Sequence, residues 1–432
     1  MVWCASFKRN LSSVFVRPSN NIAYIDGLRA LSCLGIMLYH SFFLLHLFVP
    51  EDTFTLFVEQ TPLLLSWIWG LDKSVDVFFV ISGFLIGRML FREYNQTQRL
   101  DLKAFYWRRY LRLTPVYLFA MVVFYFLAGP DYSQTLWANV LYVNNFLPLE
   151  SMSMPWTWTL AVEEQFYIVL PLLLSLLILP FRHALGVLLG LFLLSFIIIG
   201  LVASNDAQLW HQPYHRLFSG KDNIIHYFDT LYVNLHTRFG TLICGVILAY
   251  LTVYRARWLQ QVLSRRLLST GLTVLALVVM ISGVMLNGNK QWLGESLHLA
   301  RLNLILDRNL FGMATCWMIV LCSAPGTTGK LVNRFFSARL WYPFAQLSYS
   351  MYLFHYMLAV PLVLMTVNIL KHSPGPAPLM QHHWFLLMFV GLVLVTVPVS
   401  LLTYTLIERP FINLRKPAAA AAGGTAKVAA TA

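Results

Sequence analysis

The chain has 432 residues, of which 58% are hydrophobic, 15% aromatic and only 11% charged, against about 25% charged in a soluble domain. Apolar runs of about eighteen residues or more recur along it, each long enough to cross a hydrocarbon core as a helix, which excludes a water-soluble globule. The absence of period-2 alternation excludes a transmembrane barrel, and the net charge of +13 points to nucleic acid only until its placement is considered.

The pattern predicts an all-α, polytopic transmembrane helical bundle of about ten spans, over 23–48, 72–91, 112–128, 156–179, 184–203, 236–254, 267–286, 304–323, 343–369 and 385–407. Residues 1–22 form a cytoplasmic segment without a short apolar stretch and cleavage site, so the first span reads as an uncleaved signal. Residues 23–411 form one membrane domain, and 412–432, made mostly of Ala, Gly and Thr, a disordered cytoplasmic tail. Of the 31 Lys and Arg residues, only Lys73, Arg216, Lys221, Arg238, Lys290, Arg301, Arg308 and Lys371 fall on the side opposite the N-terminus. That bias orients both termini to the cytoplasm and assigns the positive charge to anionic lipid rather than nucleic acid. The five cysteines are scattered, four of them in apolar runs, and imply neither a disulfide framework nor a metal site.

In chain order, the first span carries Arg29 and His40, eleven residues apart. That spacing is about three turns plus 20°, so both side chains share one face about 16 Å apart along the axis. Arg29 fits either an interfacial anchor or a ligand contact. His40, near mid-bilayer, is a functional candidate because an ionisable group there is costly to keep. The second span opens with Asp72, suited to capping, and Asp76, which lies deeper, ahead of Ser82 and Gly83. The link that follows interleaves Tyr106 and Trp107 with Arg99, Lys103, Arg108, Arg109 and Arg112, a composition that suits lipid headgroups or the phosphates and adenine of a nucleotide-like cofactor. Residues 136–146 are too short to cross and read as an interfacial or re-entrant helix. The fourth span begins with Pro155, Trp156 and Trp158 at the interface, then Glu163 and Glu164, of which one faces the interior because neighbours on a helix differ by about 100°. The external segment 204–235, with His211, His215, His226 and Asp229, fits an acceptor site or a cap. Ser348, Tyr352 and His355 form a polar stripe on the ninth span.

Taken together, these segments resemble the membrane-bound acyltransferase-3 family of O-acyltransferases. The runs that carry the resemblance are Asp26-Gly-Leu-Arg29-Ala30 with His40 beyond it, Asp76-Val-Phe-Phe-Val-Ile-Ser82-Gly83, Arg108-Arg109-Tyr-Leu-Arg112-Leu-Thr-Pro115, and Trp158-Thr159-Leu160-Ala-Val-Glu163-Glu164-Gln165. Arg238 with Gly245, Leu347-Ser348-Tyr349-Ser350, Tyr352-Leu353 with His355, and Glu408 with Pro410-Phe411 complete the order. Thr159 stands where serine is common in the family.

The resemblance implies transfer of an acyl group, usually acetyl from acetyl-CoA, to a hydroxyl of a carbohydrate or glycolipid acceptor, in the bacterial inner membrane and on its extracytoplasmic side, without a metal. A stand-alone enzyme is expected, since no esterase-like domain follows the spans. The donor's phosphates are expected at Arg29, Arg108, Arg109 and Arg112, with Ser82 and Gly83 also assigned to donor binding. His40 is the expected general base on the acceptor hydroxyl, in direct transfer or through an acyl-histidine. His355 and Tyr352 are the expected oxyanion donors. Glu163 either orients His40 or binds sugar hydroxyls, and Asp76 joins the catalytic group. The scheme requires a passage through the bundle from Arg29 to His40. A transporter or flippase for a sugar or lipid-linked substrate is the alternative, since intramembrane His and carboxylate side chains also line transport paths, although the two halves show no internal repeat.

Overall fold

The computed structural model describes residues 2–19, 21–178, 183–372 and 378–414. Among them there is no strand, and ten helices are long and apolar enough to cross a membrane. In chain order they are α1 Ala23–Leu47, α2 Leu63–Thr97, α3 Leu102–Ala128, α4 Pro155–Leu176, α5 Ala184–Ser204, α6 Leu235–Tyr254, α7 Arg266–Gly288, α8 Leu297–Leu321, α9 Trp341–Lys371 and α10 His382–Asn413. Each overlaps one predicted span, and the helical bundle is the fold the apolar pattern predicts. Of the predicted tail 412–432, residues 415–432 lie outside the described residues, as does Arg182.

Two boundaries differ for identifiable reasons. A 3-10 stretch, Trp67–Lys73, extends α2 outward. At α3, Asp101 accepts a hydrogen bond from the Ala104 amide at 2.9 Å and caps a helix that starts about three turns before the predicted point. The basic and aromatic run is therefore helical, and Arg108, Arg109 and Arg112 sit on the first turns of α3 rather than in a link. Residues 136–146 are not one helix either. They form two short turns, Leu136–Val140 and Asn144–Phe146, broken at Tyr142, whose φ is 55°. The fully buried Asn139 and Asn144 side chains there both donate through Nδ2 to the Thr157 hydroxyl.

The centre of the bundle is α1, α2 and α6, the most buried of the ten, while α5, α7 and α10 are the least. α1 packs on α2, α9 and α10, and α2 lies along α6. α2 and α6 meet at Gly83 and Gly245: a Cβ on Gly83 would strike the Leu242 carbonyl, and one on Gly245 the Val80 carbonyl. Small residues at such a crossing let backbones approach where lipid supplies no hydrophobic drive.

At the end of the bundle away from the start of α1, the sequence places Lys73, Arg238 and Arg308 at the outer ends of their spans, counted with the charges opposite the N-terminus. They are instead buried, at 1%, 3% and 9% exposure. Carboxylates in the same layer account for this, since buried charges persist only when paired. Arg308 bonds Asp72 and reaches Asp76 at 2.9 Å, Arg238 lies 3.0 Å from Asp76, and Lys73 lies 2.6 Å from Asp307. The segment between α5 and α6 folds down over this layer. It carries the Tyr232 ring between two guanidinium groups, 4.9 Å from that of Arg238 and 4.8 Å from that of Arg308. The segment is thus a lid with an aromatic foot in the bundle.

Candidate active site

Arg29 and His40 both face α9, as their spacing on one helix requires. Arg29 Nη2 donates to Ser348 Oγ at 2.9 Å, and His40 Nδ1 lies 2.8 Å from His355 Nε2. The two imidazoles stack with centroids 5.1 Å apart and planes 20° from parallel. The polar stripe on α9 is therefore the counterpart of the stripe on α1.

The tautomers follow from the neighbours. His355 Nδ1 lies 2.7 Å from the Tyr352 carbonyl and 3.2 Å from that of Met351. Carbonyls only accept, so Nδ1 carries the proton and Nε2 of the neutral ring is an acceptor. His40 must then donate through Nδ1, which leaves its Nε2 with a bare lone pair. That atom has no hydrogen-bond partner among the described residues, and His40 is partly exposed. His355 is fully buried whereas His40 is only partly so. The pair thus has one anchored ring and one ring with a basic nitrogen open to its surroundings.

Around Arg29 charges of both signs gather. Its charged neighbours include Arg112, Asp26 and Glu408, and Arg112 is in turn a neighbour of Arg109. Arg109 also lies over the Tyr167 ring at 5.5 Å. Three guanidinium groups from α1 and α3 thus lie in one series of charges, interleaved with the carboxylates of Asp26, Glu408, Glu163 and Glu164. Arg108, one residue from Arg109, turns to the other side of α3 and lies 3.8 Å from Glu93.

The remaining candidates fall into separate contacts. Ser82 donates to Glu163 Oε1 at 2.7 Å and Tyr167 donates to Glu163 Oε2 at 3.0 Å. Arg109 and Arg29 are the charges nearest that carboxylate, so Glu163 belongs to the arginine side, and the position that orients His40 is held by His355. The Tyr352 hydroxyl bonds the Trp156 carbonyl and lies 2.5 Å from Thr159 Oγ1. Asp76 is held in the ion layer by Arg238 and Arg308, and Gly83 in the crossing of α2 and α6.

Arg29, Ser82, Glu163 and His40 all retain partial exposure although they line helices packed against one another. A cavity of about 500 Å³ is bounded by Pro361, Leu364, Met365 and Asn368, and one of about 390 Å³ by Cys322, Gly329, Lys330 and Asn333. Neither touches Arg29 or His40, so the passage that the scheme requires is not one of these. Among the described residues no group of three or more His, Cys, Asp or Glu side chains gathers as a metal site.

Sequence reasoning missed two features of this region. Tyr167 shares Glu163, and its position four residues along the same helix was a usable signal. The pairing of Arg238 and Arg308 with Asp76 joins three helices distant in the chain, and spacing carries no trace of it.

Comparison with known proteins gives a consistent result. Residues 22–405 match the family model described as an acyltransferase domain. The O-acetyltransferase OatA of Staphylococcus aureus is 29% identical over 365 residues, covering 78% of this chain and 50% of that protein. A putative O-acetyltransferase of the same organism is 30% identical over 247 residues, covering 52% of this chain and 34% of that protein. The chain thus spans half the length of OatA or less of these relatives. No solved structure matches it.

Proposed function

Since this chain belongs to the acyltransferase-3 family of acyltransferase domains, we propose that it transfers an acetyl group from acetyl-CoA to a hydroxyl of a carbohydrate-type acceptor. The observation that carries this reading is the free Nε2 of His40, produced by the hydrogen bond from His40 Nδ1 to an anchored His355. A neutral imidazole with its lone pair exposed is a general base. Its place on the same helix face as Arg29 ties that base to a group of guanidinium side chains able to bond phosphate. The similarity to proteins named O-acetyltransferases supports acetyl as the group and oxygen as the acceptor atom.

In this reading Arg29, Arg109 and Arg112 hold the donor's phosphates, and Arg108 stands at the rim. Coenzyme A does not cross a bilayer, so the arginine end is the cytoplasmic face of a bacterial inner membrane, and the lid between α5 and α6 lies over the extracytoplasmic side, where the acceptor arrives. Its hydroxyl gives a proton to His40 Nε2 as its oxygen attacks the thioester carbonyl. The tetrahedral intermediate collapses with loss of thiolate, which takes the proton back from His40. His355 is a positioning residue: it fixes the tautomer and accepts a shortened, charge-assisted bond when His40 becomes cationic. Glu163, with Ser82 and Tyr167, holds Arg109 in place along the donor's route.

The test is purified protein in nanodiscs, supplied with acetyl-CoA and an envelope glycan, followed by free thiol and by mass of the glycan. Wild type releases thiol in step with acetylated product. His40→Ala abolishes both while keeping the wild-type elution volume and melting curve, and substantial acceptor-dependent turnover by that variant would overturn the assignment.

A further inference from the structure

We infer that the Tyr356 hydroxyl is a further catalytic group, the donor that binds the oxyanion of the tetrahedral intermediate; the inference rests on the acyl-transfer reading above. The donors that the sequence points to are already engaged. His355 Nε2 accepts from His40, and the Tyr352 hydroxyl is held by the Trp156 carbonyl and Thr159. The Ser348 hydroxyl donates to the Ala345 carbonyl at 2.9 Å. Each would have to break a buried hydrogen bond to serve an oxyanion, a reorganisation that a preorganised site avoids.

Tyr356 has no such commitment. Its hydroxyl has no hydrogen-bond partner among the described residues, and the residue is partly exposed. Its ring is fixed in direction: it lies flat on the Trp156 indole, with centroids 4.4 Å apart and planes 10° from parallel, and meets the His40 ring edge to face at 5.3 Å and 80°. The Trp156 indole is itself tethered by Nε1, which donates to the Leu353 carbonyl at 3.2 Å. A rigid phenol next to the His40 imidazole, whose Nε2 is free, leaves two unsatisfied polar functions, a base and a donor, on adjoining rings. General base and oxyanion donor must converge on a single reacting carbonyl, and these two adjoining rings offer one of each with neither engaged.

The step balances without a further reactant. The acceptor oxygen bonds to the acyl carbon as its proton moves to His40 Nε2. The carbonyl electron pair moves to oxygen and is held by the Tyr356 O–H, which keeps its own proton. The pair returns as the carbon–sulfur bond breaks, and the thiolate leaves with the proton from His40.

The discriminating variant is Tyr356→Phe, which keeps the ring on Trp156 and removes only the donor. Expected is a loss of about a hundredfold in kcat, the scale seen when one oxyanion donor is deleted, with KM for acetyl-CoA and for acceptor within twofold of wild type and an unchanged melting curve. Replacing Tyr356 by 3-fluorotyrosine, a stronger donor of nearly the same shape, is expected to keep kcat at wild-type level or above where Tyr356→Phe has lost it. Wild-type kcat in Tyr356→Phe, with His40→Ala inactive, overturns the role of Tyr356 and leaves acyl transfer standing. A change confined to acceptor KM also overturns it, since that marks substrate binding. Turnover by His40→Ala instead removes the reading on which the inference rests.

Discussion

Replacing His355 by leucine tests whether His40 depends on its partner. Leucine is close in volume and fills a site that is fully buried, but it leaves His40 Nδ1–H without the acceptor now 2.8 Å away. An unsatisfied buried donor costs about 1–3 kcal/mol. At about 1.36 kcal/mol per tenfold in rate, that is a loss of roughly 5- to 150-fold in kcat, felt most in the transition state, where the imidazole becomes cationic and the missing bond would be charge-assisted. His40 is also free to carry its proton on Nε2, which removes the base and pushes the loss to the upper end of that range. His355→Gln retains an acceptor at nearly the same reach and is expected to recover most of the activity. The assay is thiol release in nanodiscs at saturating acetyl-CoA, with KM for the donor measured for both variants. If His355→Leu keeps kcat within threefold of wild type, or if the loss appears as a higher donor KM, the hydrogen-bond chain does not set the state of His40.

Three further outcomes follow from the same geometry. Arg29→Ala and Arg112→Ala each remove a charge-assisted contact worth about 1.5–3 kcal/mol, so donor KM should rise roughly 10- to 150-fold with acceptor KM unchanged, and an unaltered donor KM contradicts the phosphate assignment. Asp76→Asn leaves Arg238 and Arg308 sharing a neutral partner inside the bundle, and breaking such a pair costs about 3–5 kcal/mol; a melting temperature equal to wild type in detergent contradicts the ion layer. Lys290, between α7 and α8, is pushed down to about 8 from its ordinary 10.5, chiefly by burial and less by the Lys73 charge, with Asp72 opposing. The unfolded chain holds that proton more tightly, so its protonation disfavours the folded state below about pH 8, and stability should increase as pH rises from 8 towards 10.5. Lys290→Met should flatten that limb of the pH–stability profile, and an identical slope in the variant refutes it.

Much of the fold was legible because lipid imposes one rule on every span, and ten long apolar runs leave little choice of architecture. The shared face of Arg29 and His40 was legible for the same local reason, since helical geometry fixes it without knowledge of any neighbour. What stayed hidden depends on partners distant in the chain. Nothing in the sequence near His40 indicates that His355 rather than Glu163 holds its Nδ1, because both candidates lie far from it along the chain and the choice is made by which helix packs against α1. Arg308 looked like an external basic residue until Asp72 and Asp76 from α2 were found beside it. Arg108 and Arg109 differ by about 100° of helix rotation, and only the way α3 packs decides which of them turns toward Arg112 and Glu163.

The placement of Arg29 and His40 on one uninterrupted helix turns α1 into a ruler. Backbone hydrogen bonds hold the rise at about 1.5 Å per residue, so the stretch between cation and imidazole cannot adapt to the cargo. A carrier too short to bridge it cannot keep its charged head on the arginines while its thioester lies at the base. Insertion of a single residue between positions 29 and 40 would swing the imidazole through about 100°, off the face that meets α9. Under the proposed reaction, the fixed rise of α1 would set the length of donor that can serve before any chemistry begins.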